Sequence, residues 1–334
     1  MNLLILKIKF LIKLLKDDKK SFLNYSNNFK NLPVSFNPDL DLFLKKKNFT
    51  LILYIIKINN ECVGLLPAYK KNNINYSVPY FSYGLVLNIP IDHVIIEKIK
   101  DLLLKNLINF KVKLLGSAND LFNPHKVSAF LDLKFTKEDQ LSSFNSKLRS
   151  QIKKGYKNGL KCEIGGKNLI YDFWIIYSKN LHSIGSPSYS MSFFHKLLDN
   201  YNENQIKIFI IKYNSVPIGS SLYLSYNGFS EVILASTLRK YNYLSTNMMM
   251  YWEMIVYSIE NGNSIFSFGR SDLGSTQLRF KKQWGVRILP ISYLNSKGSM
   301  LSLKELKNIF NKIWRIIPYS ISKRIGYLIA EKFY

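Results

Sequence analysis

The sequence predicts an α+β protein made of two copies of one mixed domain and closed by a pair of helices. Three observations carry this. A strand–turn–strand pattern occurs twice, and Ile55-Ile56-Lys57-Ile58-Asn59-Asn60 matches Ile210-Ile211-Lys212-Tyr213-Asn214-Ser215 almost position by position. Each copy is followed at the same offset by a β-branched residue and a glycine, Val63-Gly64 and Ile218-Gly219, and then by a further strand, a helix and another strand. Finally, no G-x-G-x-x-G or G-x-x-x-x-G-K-S/T pattern occurs at a strand–helix junction, which argues against a dinucleotide enzyme or a P-loop NTPase. The expected division is 1–165, 166–298 and a helical extension over 299–334.

In the first copy, Thr50 to Lys57 and Cys62 to Ala68 form a hairpin about Asn59-Asn60. Tyr76 to Tyr83 reads as a strand ending in Ser82-Tyr83-Gly84, Asp92 to Leu107 as a helix, and Lys111 to Leu115 and Lys126 to Leu133 as strands. Thr136 to Asp139 opens a helix in which Phe144, Leu148, Ile152 and Tyr156 make one apolar stripe, with Gly159 ending it. Arg149, Lys153 and Lys157 form a basic row beside that stripe. The row is either a solvated helix face or a grip for the phosphates of CoA, a nucleotide sugar, tRNA or a lipid carrier.

The second copy opens with helices at Tyr171 to Leu181 and Met191 to Tyr201, separated by Gly185-Ser186-Pro187. Its hairpin runs from Gln205 to Ser225, and Asn227-Gly228 turns the chain into Phe229 to Ser236. Leu244 to Glu260 is a helix with Met248, Trp252, Ile255 and Ile259 on one face. Ser264 to Phe268 and Arg287 to Asn295 are strands. Two helices follow around Pro318, striped by Leu303, Leu306, Phe310 and Ile313 and by Ile321, Ile325, Leu328 and Ile329. Their Lys304, Lys307, Lys312, Arg315, Lys323 and Arg324 leave two readings open: packing on the domain, or rest on an anionic membrane.

With 47 Lys+Arg against 22 Asp+Glu, the chain carries +25. That suits nucleic acid, an acidic membrane or a phosphorylated substrate. Lys, Asn, Ile, Phe and Tyr, the residues of AT-rich codons, crowd the whole chain, so part of the charge reflects composition. Cys62 and Cys162 share no metal or disulfide spacing, and His93, His125, His182 and His195 are isolated. Met1 to Lys16 is too charged to span a membrane and lacks a small-residue cleavage site, so the expected location is cytoplasmic, with membrane apposition open.

Between Gly262 and Gly285, small residues let the backbone turn sharply after a strand, at Gly269-Arg270-Ser271-Asp272. A loop at Gly274 to Thr276 follows, and Phe280-Lys281-Lys282-Gln283-Trp284-Gly285 then sets two rings beside two cations. Strand ends followed by Gly-rich turns are where α/β proteins place ligands. Read alone, the composition of the stretch favours an ordinary strand and turn with its aromatics in the core.

The series Leu148-Arg149-Ser150-Gln151-Ile152-Lys153-Lys154, Gly159-Leu160, Gly185-Ser186-Pro187, Phe193-Phe194, Asn247, Trp252-Glu253, Phe268-Gly269-Arg270-Ser271 and Phe280 to Gly285 resembles FemAB-related proteins. The likeness is greatest to the FemAB-like proteins encoded with exopolysaccharide and exosortase systems. It implies two GNAT-like domains with mixed sheets. It also implies transfer of an acyl or aminoacyl group onto an amine of a cell-envelope or exopolysaccharide precursor. In the family the position of Lys281 stabilises the carbonyl oxygen in the transition state. By itself Lys281 reads as a solvated lysine, but in the matched order it reads as catalytic. Arg270 would hold a phosphate or carboxylate and Asp272 accept the amine proton, unless the two simply pair to fix the turn. Trp252, Glu253, Ser271, Phe280 and Trp284 are the expected substrate-binding residues; Glu253 is also a candidate base, but mid-helix beside Trp252 a structural hydrogen bond is the better reading.

The implied donor is acyl-CoA or aminoacyl-tRNA, and nucleic acid is a partner only in the second case. The chain departs from the pattern in lacking the long helical arm of larger relatives. It also has Thr276 where many relatives have glycine, and no G-x-G/A between Arg239 and Thr246. An aminoacyl-tRNA-dependent peptidoglycan ligase, and a non-catalytic basic binding protein on the same scaffold, are the alternatives.

Overall fold

Turn chemistry starts both halves in the same way. Asn59 and Asn60 have φ of 51° and 71°, and Asn214 and Ser215 have 48° and 65°. A two-residue hairpin turn of the primed kind needs this left-handed pair, and Asn tolerates it. The computed structural model describes residues 12–29, 31–91, 93–116, 126–296 and 303–332.

The first half runs β1 (Ile12–Asp17), α1 (Lys19–Ser26), α2 (Leu40–Lys45), β2 (Thr50–Ile58), β3 (Glu61–Lys71), β4 (Ile74–Ser77), β5 (Val86–Leu87), α3 (His93–Asn106), β6 (Phe110–Leu115) and β7 (Lys126–Asp132). After α4 (Lys137–Ser143) and α5 (Ser146–Lys157) come β8 (Lys161–Gly165), α6 (Ile170–Ile184), α7 (Met191–Asn200), β9 (Ile206–Tyr213), β10 (Val216–Tyr226) and β11 (Phe229–Thr237). The chain ends with α8 (Thr246–Glu260), β12 (Ile265–Asp272), α9 (Thr276–Lys282), β13 (Arg287–Asn295), α10 (Leu303–Ile316) and α11 (Tyr319–Ala330).

All thirteen strands share one sheet, in the order β1-β2-β3-β4-β6-β13-β7-β12-β11-β10-β9-β8, with β5 on β3. Each half is an antiparallel meander followed by a helix and a parallel strand: β4 beside β6, and β11 beside β12. The last strand of each half then crosses over. β13 pairs with β6, β7 pairs with β12, and the two exchanged strands pair with each other. The halves are therefore welded by backbone hydrogen bonds, not merely apposed.

The hairpins are equivalent down to a bulge. Ile56 faces Gly64 while Lys57 faces Cys62, leaving Val63 extra. In the second copy Ile211 faces Gly219 while Lys212 faces Pro217, leaving Ile218 extra. β8 flanks β9 as β1 flanks β2. Alternating residues of β9 point into different cores, Ile208 and Ile210 towards α6 and α7, Phe209 and Ile211 towards α5 and α8. No helix among the described residues is long and apolar enough to cross a membrane.

Several elements differ from expectation. The strand expected over Tyr76 to Tyr83 stops at Ser77, because Val78 and Tyr80 (φ 34° and 71°) turn the chain before β5. The single helix expected after Thr136 is two helices: Phe144 leaves the helical path, and the Asn145 side chain caps α5 by accepting from Leu148 N. Gly274 to Thr276 is a helix start, with Ser275 accepting from Leu278 N. Of Met1 to Lys16, the part from Ile12 is a strand on β2, and the rest lies outside the described residues, as do His125 and the side chains of Leu303, Lys304, Leu306 and Lys307. In α10 and α11, Ile313, Ile321, Ile325 and Leu328 are exposed, whereas Trp314, Ser322, Gly326 and Ala330 are buried.

Candidate active site

β11 and β12 run in register through Phe229 and Ile265, Ser230 and Phe266, and Glu231 and Ser267, and then stop pairing. β11 continues along β10, while β12 bulges at Phe268-Gly269 and continues along β7 to Asp272. Where the two parallel strands part, their backbone groups lose each other as hydrogen-bond partners, which leaves a notch in the pairing of the sheet. Gly269 permits the notch: its φ is +70°, and a Cβ would lie 3.1 Å from Val232 O and 3.9 Å from Glu231 Oε1. Gly269→Ala should cost about 1–2 kcal/mol in urea unfolding, the scale of forcing a side chain into the left-handed region. An unchanged midpoint would show that the bulge relaxes freely.

Glu231 stands at the notch. It is fully buried, and among the described residues neither carboxylate oxygen has a hydrogen-bond partner. Burial raises its pKa to about 7, against the opposing pull of Ser82, Arg270, Lys281 and Lys113. Ser82 is the neighbour that opposes the rise most, and Arg270, Lys281 and Lys113 oppose it by their charge. A buried carboxylate left this way is costly, and such groups mark functional sites more often than structural ones.

Lys281 reaches the same place from α9. It is 6% exposed, and its Nζ donates to the carbonyl oxygens of Gly269 and Arg270, both at 2.9 Å. Burial draws its pKa down to about 7, Glu231 opposing and Arg270 assisting. An ammonium has three donors, and two are committed here, so one remains for a ligand. Lys113, contributed by β6 from the other half, is buried and donates to Val78 O at 2.9 Å and Phe81 O at 2.6 Å. Burial holds its pKa well below the ordinary lysine value. Behind them the Tyr83 hydroxyl hydrogen-bonds Ser128 and Ser267 Oγ, and Ser267 Oγ accepts from Gly269 N at 3.1 Å. This polar layer fixes the bulge on which Lys281 rests.

The other expected residues disperse. Arg270 lies at the rim, is exposed, and donates to the Tyr293 hydroxyl at 3.0 Å. Asp272 is exposed and pairs with Lys126 at 2.5 Å, its cross-strand neighbour, so the Arg270–Asp272 pair does not form. Trp284 and Trp252 are buried in the core against Phe144 and form no cleft wall. Phe280 is half-buried against Tyr251, and Ser271 is buried with its hydroxyl unpartnered among the described residues. Glu253 accepts from the Tyr156 hydroxyl at 2.5 Å and so ties α8 to α5. In the basic row, Arg149 donates to the carbonyls of Ser142 and Phe144 at the end of α4, while Lys153 and Lys157 are exposed.

Residues 142–282 match the acetyltransferase (GNAT) domain. The chain matches the crystal structure of FemX, at 11% identity and TM-score 0.60, over 88% of this chain and 100% of that one. It also matches L-PGS from Bacillus licheniformis, at 11% identity and TM-score 0.50, over 93% and 98% of the two chains. A third match is the C-terminal domain (DUF2156) of a putative lysylphosphatidylglycerol synthetase from Agrobacterium fabrum, at 10% identity and TM-score 0.50, over 87% and 96%. Among curated proteins none matches the sequence. The fold is thus the GNAT fold, with the family match confined to residues 142–282. As a whole the chain is similar in architecture to FemX: a tandem α+β arrangement with mixed strands.

Proposed function

We propose that the protein transfers an acyl or aminoacyl group onto an amine of a cell-envelope or exopolysaccharide precursor, at the Glu231–Lys281 centre. The observation that carries this is a buried carboxylate without partners and a buried lysine with a spare donor, meeting where β11 and β12 part. The acceptor ammonium gives a proton to Glu231, and the freed amine attacks the donor carbonyl carbon. Negative charge gathers on the carbonyl oxygen, where the Lys281 ammonium stabilises it. Collapse of the intermediate breaks the ester or thioester bond; the leaving oxygen or sulfur takes up the proton that the attacking nitrogen loses as the amide forms, and Glu231 returns its own proton to solvent. Near neutral pH a deprotonated Glu231 and a protonated Lys281 coexist, since both titrate at about 7.

On this reading 166–298 holds the reacting groups, 1–165 supplies Lys113 to the same layer, and 299–334 is an extension. The burial and backbone hydrogen bonds of Lys281 support the enzyme reading over a purely binding scaffold, whereas the expected cleft walled by Trp252, Phe280 and Trp284 is not there to support it, since both tryptophans lie in the core. The test is to offer acyl-CoA and aminoacyl-tRNA with amine acceptors and follow amide formation by mass spectrometry. Failure of every such donor to react would overturn the proposal.

The donor itself is separable by salt. Only Lys153 and Lys157 of the basic row are free of backbone contacts, so α5 suits few phosphates. Binding of CoA should then weaken mildly with salt. Tracking of tRNA would give a log–log slope on the order of −0.7 to −0.9 per neutralised phosphate. Tight tRNA binding with a steep slope, abolished in the Arg149/Lys153/Lys157 triple alanine variant, would instead establish the tRNA-dependent ligase.

A further inference from the structure

The C-terminal helices present an apolar and basic face that no other part of the described chain covers. Both helices pack on α6. α10 docks through Trp314, and α11 through Ser322, Gly326 and Ala330. At Gly326 a Cβ would come 3.0 Å from Ser188 N, so α11 lies directly on backbone. Glu331 is turned inwards, paired with Lys47 at 2.5 Å and accepting from Ser190 at 2.8 Å. The docked side is therefore fixed, and the outer side is set by helical periodicity.

That outer side is unusual for a solvated surface. Ile316, at the turn between the helices, is 81% exposed, and Ile313, Ile321 and Leu328 are 56%, 49% and 51% exposed. Lys312, Arg315 and Arg324 are exposed among them. Over residues 303–332 the sequence has seven Lys or Arg against two Glu. Branched aliphatic side chains ringed by cations suit one environment: the boundary between headgroups and acyl chains of an anionic bilayer, with the isoleucines entering the apolar zone and the cations meeting phosphate. A second copy of this chain fits poorly, since a two-fold contact would oppose the same cations across the interface in a protein of charge +25. Nucleic acid fits poorly as well, since its sites stack bases on aromatic rings and the exposed side chains here are mostly aliphatic, with Tyr327 the exception among those described.

We propose that α10 and α11 seat the protein peripherally on an anionic lipid surface. The surface is distinct from the Glu231–Lys281 centre, and its failure would leave the transfer reaction untouched.

The test is sedimentation of the full chain with phosphatidylcholine vesicles, with and without phosphatidylglycerol. The discriminating variant is Ile316→Ser/Leu328→Ser, which keeps the net charge. Wild type should sediment with the phosphatidylglycerol vesicles alone, and the variant should bind at least about tenfold more weakly, because apolar insertion and not charge is removed. A second variant, Lys312→Gln/Arg324→Gln, should weaken binding and flatten its salt dependence. Circular dichroism melting of each variant separates lost docking from lost folding. Equal sedimentation with neutral vesicles, or serine variants that bind like wild type, would overturn the proposal. So would a concentration-dependent dimer in wild type that the serine variant abolishes, since the face would then join two copies.

Discussion

Replacing Lys281 by methionine is expected to lower turnover by about 10²–10³-fold, the loss that follows removal of one oxyanion donor. On balance the same change should make the fold more stable near neutral pH, where the cost of holding the buried ammonium is still present. Two carbonyl groups lose their donor, at about 1 kcal/mol each, but a buried charge also disappears. The balance depends on pH in a checkable way. The folded pKa of Lys281 is about 7, against an ordinary value of 10.5. Between those values the unfolded chain holds the extra proton, so wild type gains stability as pH rises through that window. Methionine has no such slope. The variant's relative stability should therefore be greatest below pH 7 and fall away above it. Thermal melts across the range, beside turnover of an identified substrate, test both halves. A variant with full rate would return Lys281 to a structural part, tying α9 to the β12 bulge.

The hairpin duplication was legible because its causes are local. Asn-Asn and Asn-Ser turns, and a glycine one bulge further on, are set by a few neighbouring residues. The exchange of β7 and β13 was not legible. A strand's partner is chosen by tertiary packing, and Lys126–Asp132 reads equally well beside its own half. Lys281 was found through its place in a motif. Glu231 was missed, although Phe229, Glu231 and Ile233 share one face of a strand by period two, and an acid between apolar neighbours was the available signal. Lys113 shares a strand face with Lys111 as though both faced water, but the segment after β4 closes on it and supplies the Val78 and Phe81 carbonyl acceptors.

The aromatics misled for the opposite reason. A tryptophan next to cations reads equally as a ligand wall or as core, and Trp252 and Trp284 are core. In the C-terminal helices, periodicity gave the stripes but not which side docks. In α11 the side of small residues won, because Gly326 lets the helix lie against backbone at Ser188. The polar centre thus draws on residues far apart in sequence, which is why no single motif marks it.

Replacing Glu231 by glutamine should produce a protein that is more stable and nearly inactive. Amide formation should fall by about 10²–10⁴-fold, the range for losing a positioned base. The folded pKa of Glu231 is about 7, raised from 4.5 by burial. Between these values the folded state binds more protons than the unfolded one, so wild type loses stability as pH rises through the window, and the full cost is present above pH 7. That cost is on the order of 3 kcal/mol, and glutamine does not carry it. Differential scanning calorimetry near pH 8 should find the variant melting above wild type, and the gap should close below about pH 4. Activity supplies the second readout. Wild type needs Glu231 ionised and Lys281 protonated, so its rate should peak near pH 7 and fall on both sides. The acid limb should vanish from any residual rate of Glu231→Gln while the alkaline limb persists. If the variant is neither more stable at high pH nor changed in its acid limb, the carboxylate is solvated or bonded in solution, and the base must be sought elsewhere in the notch.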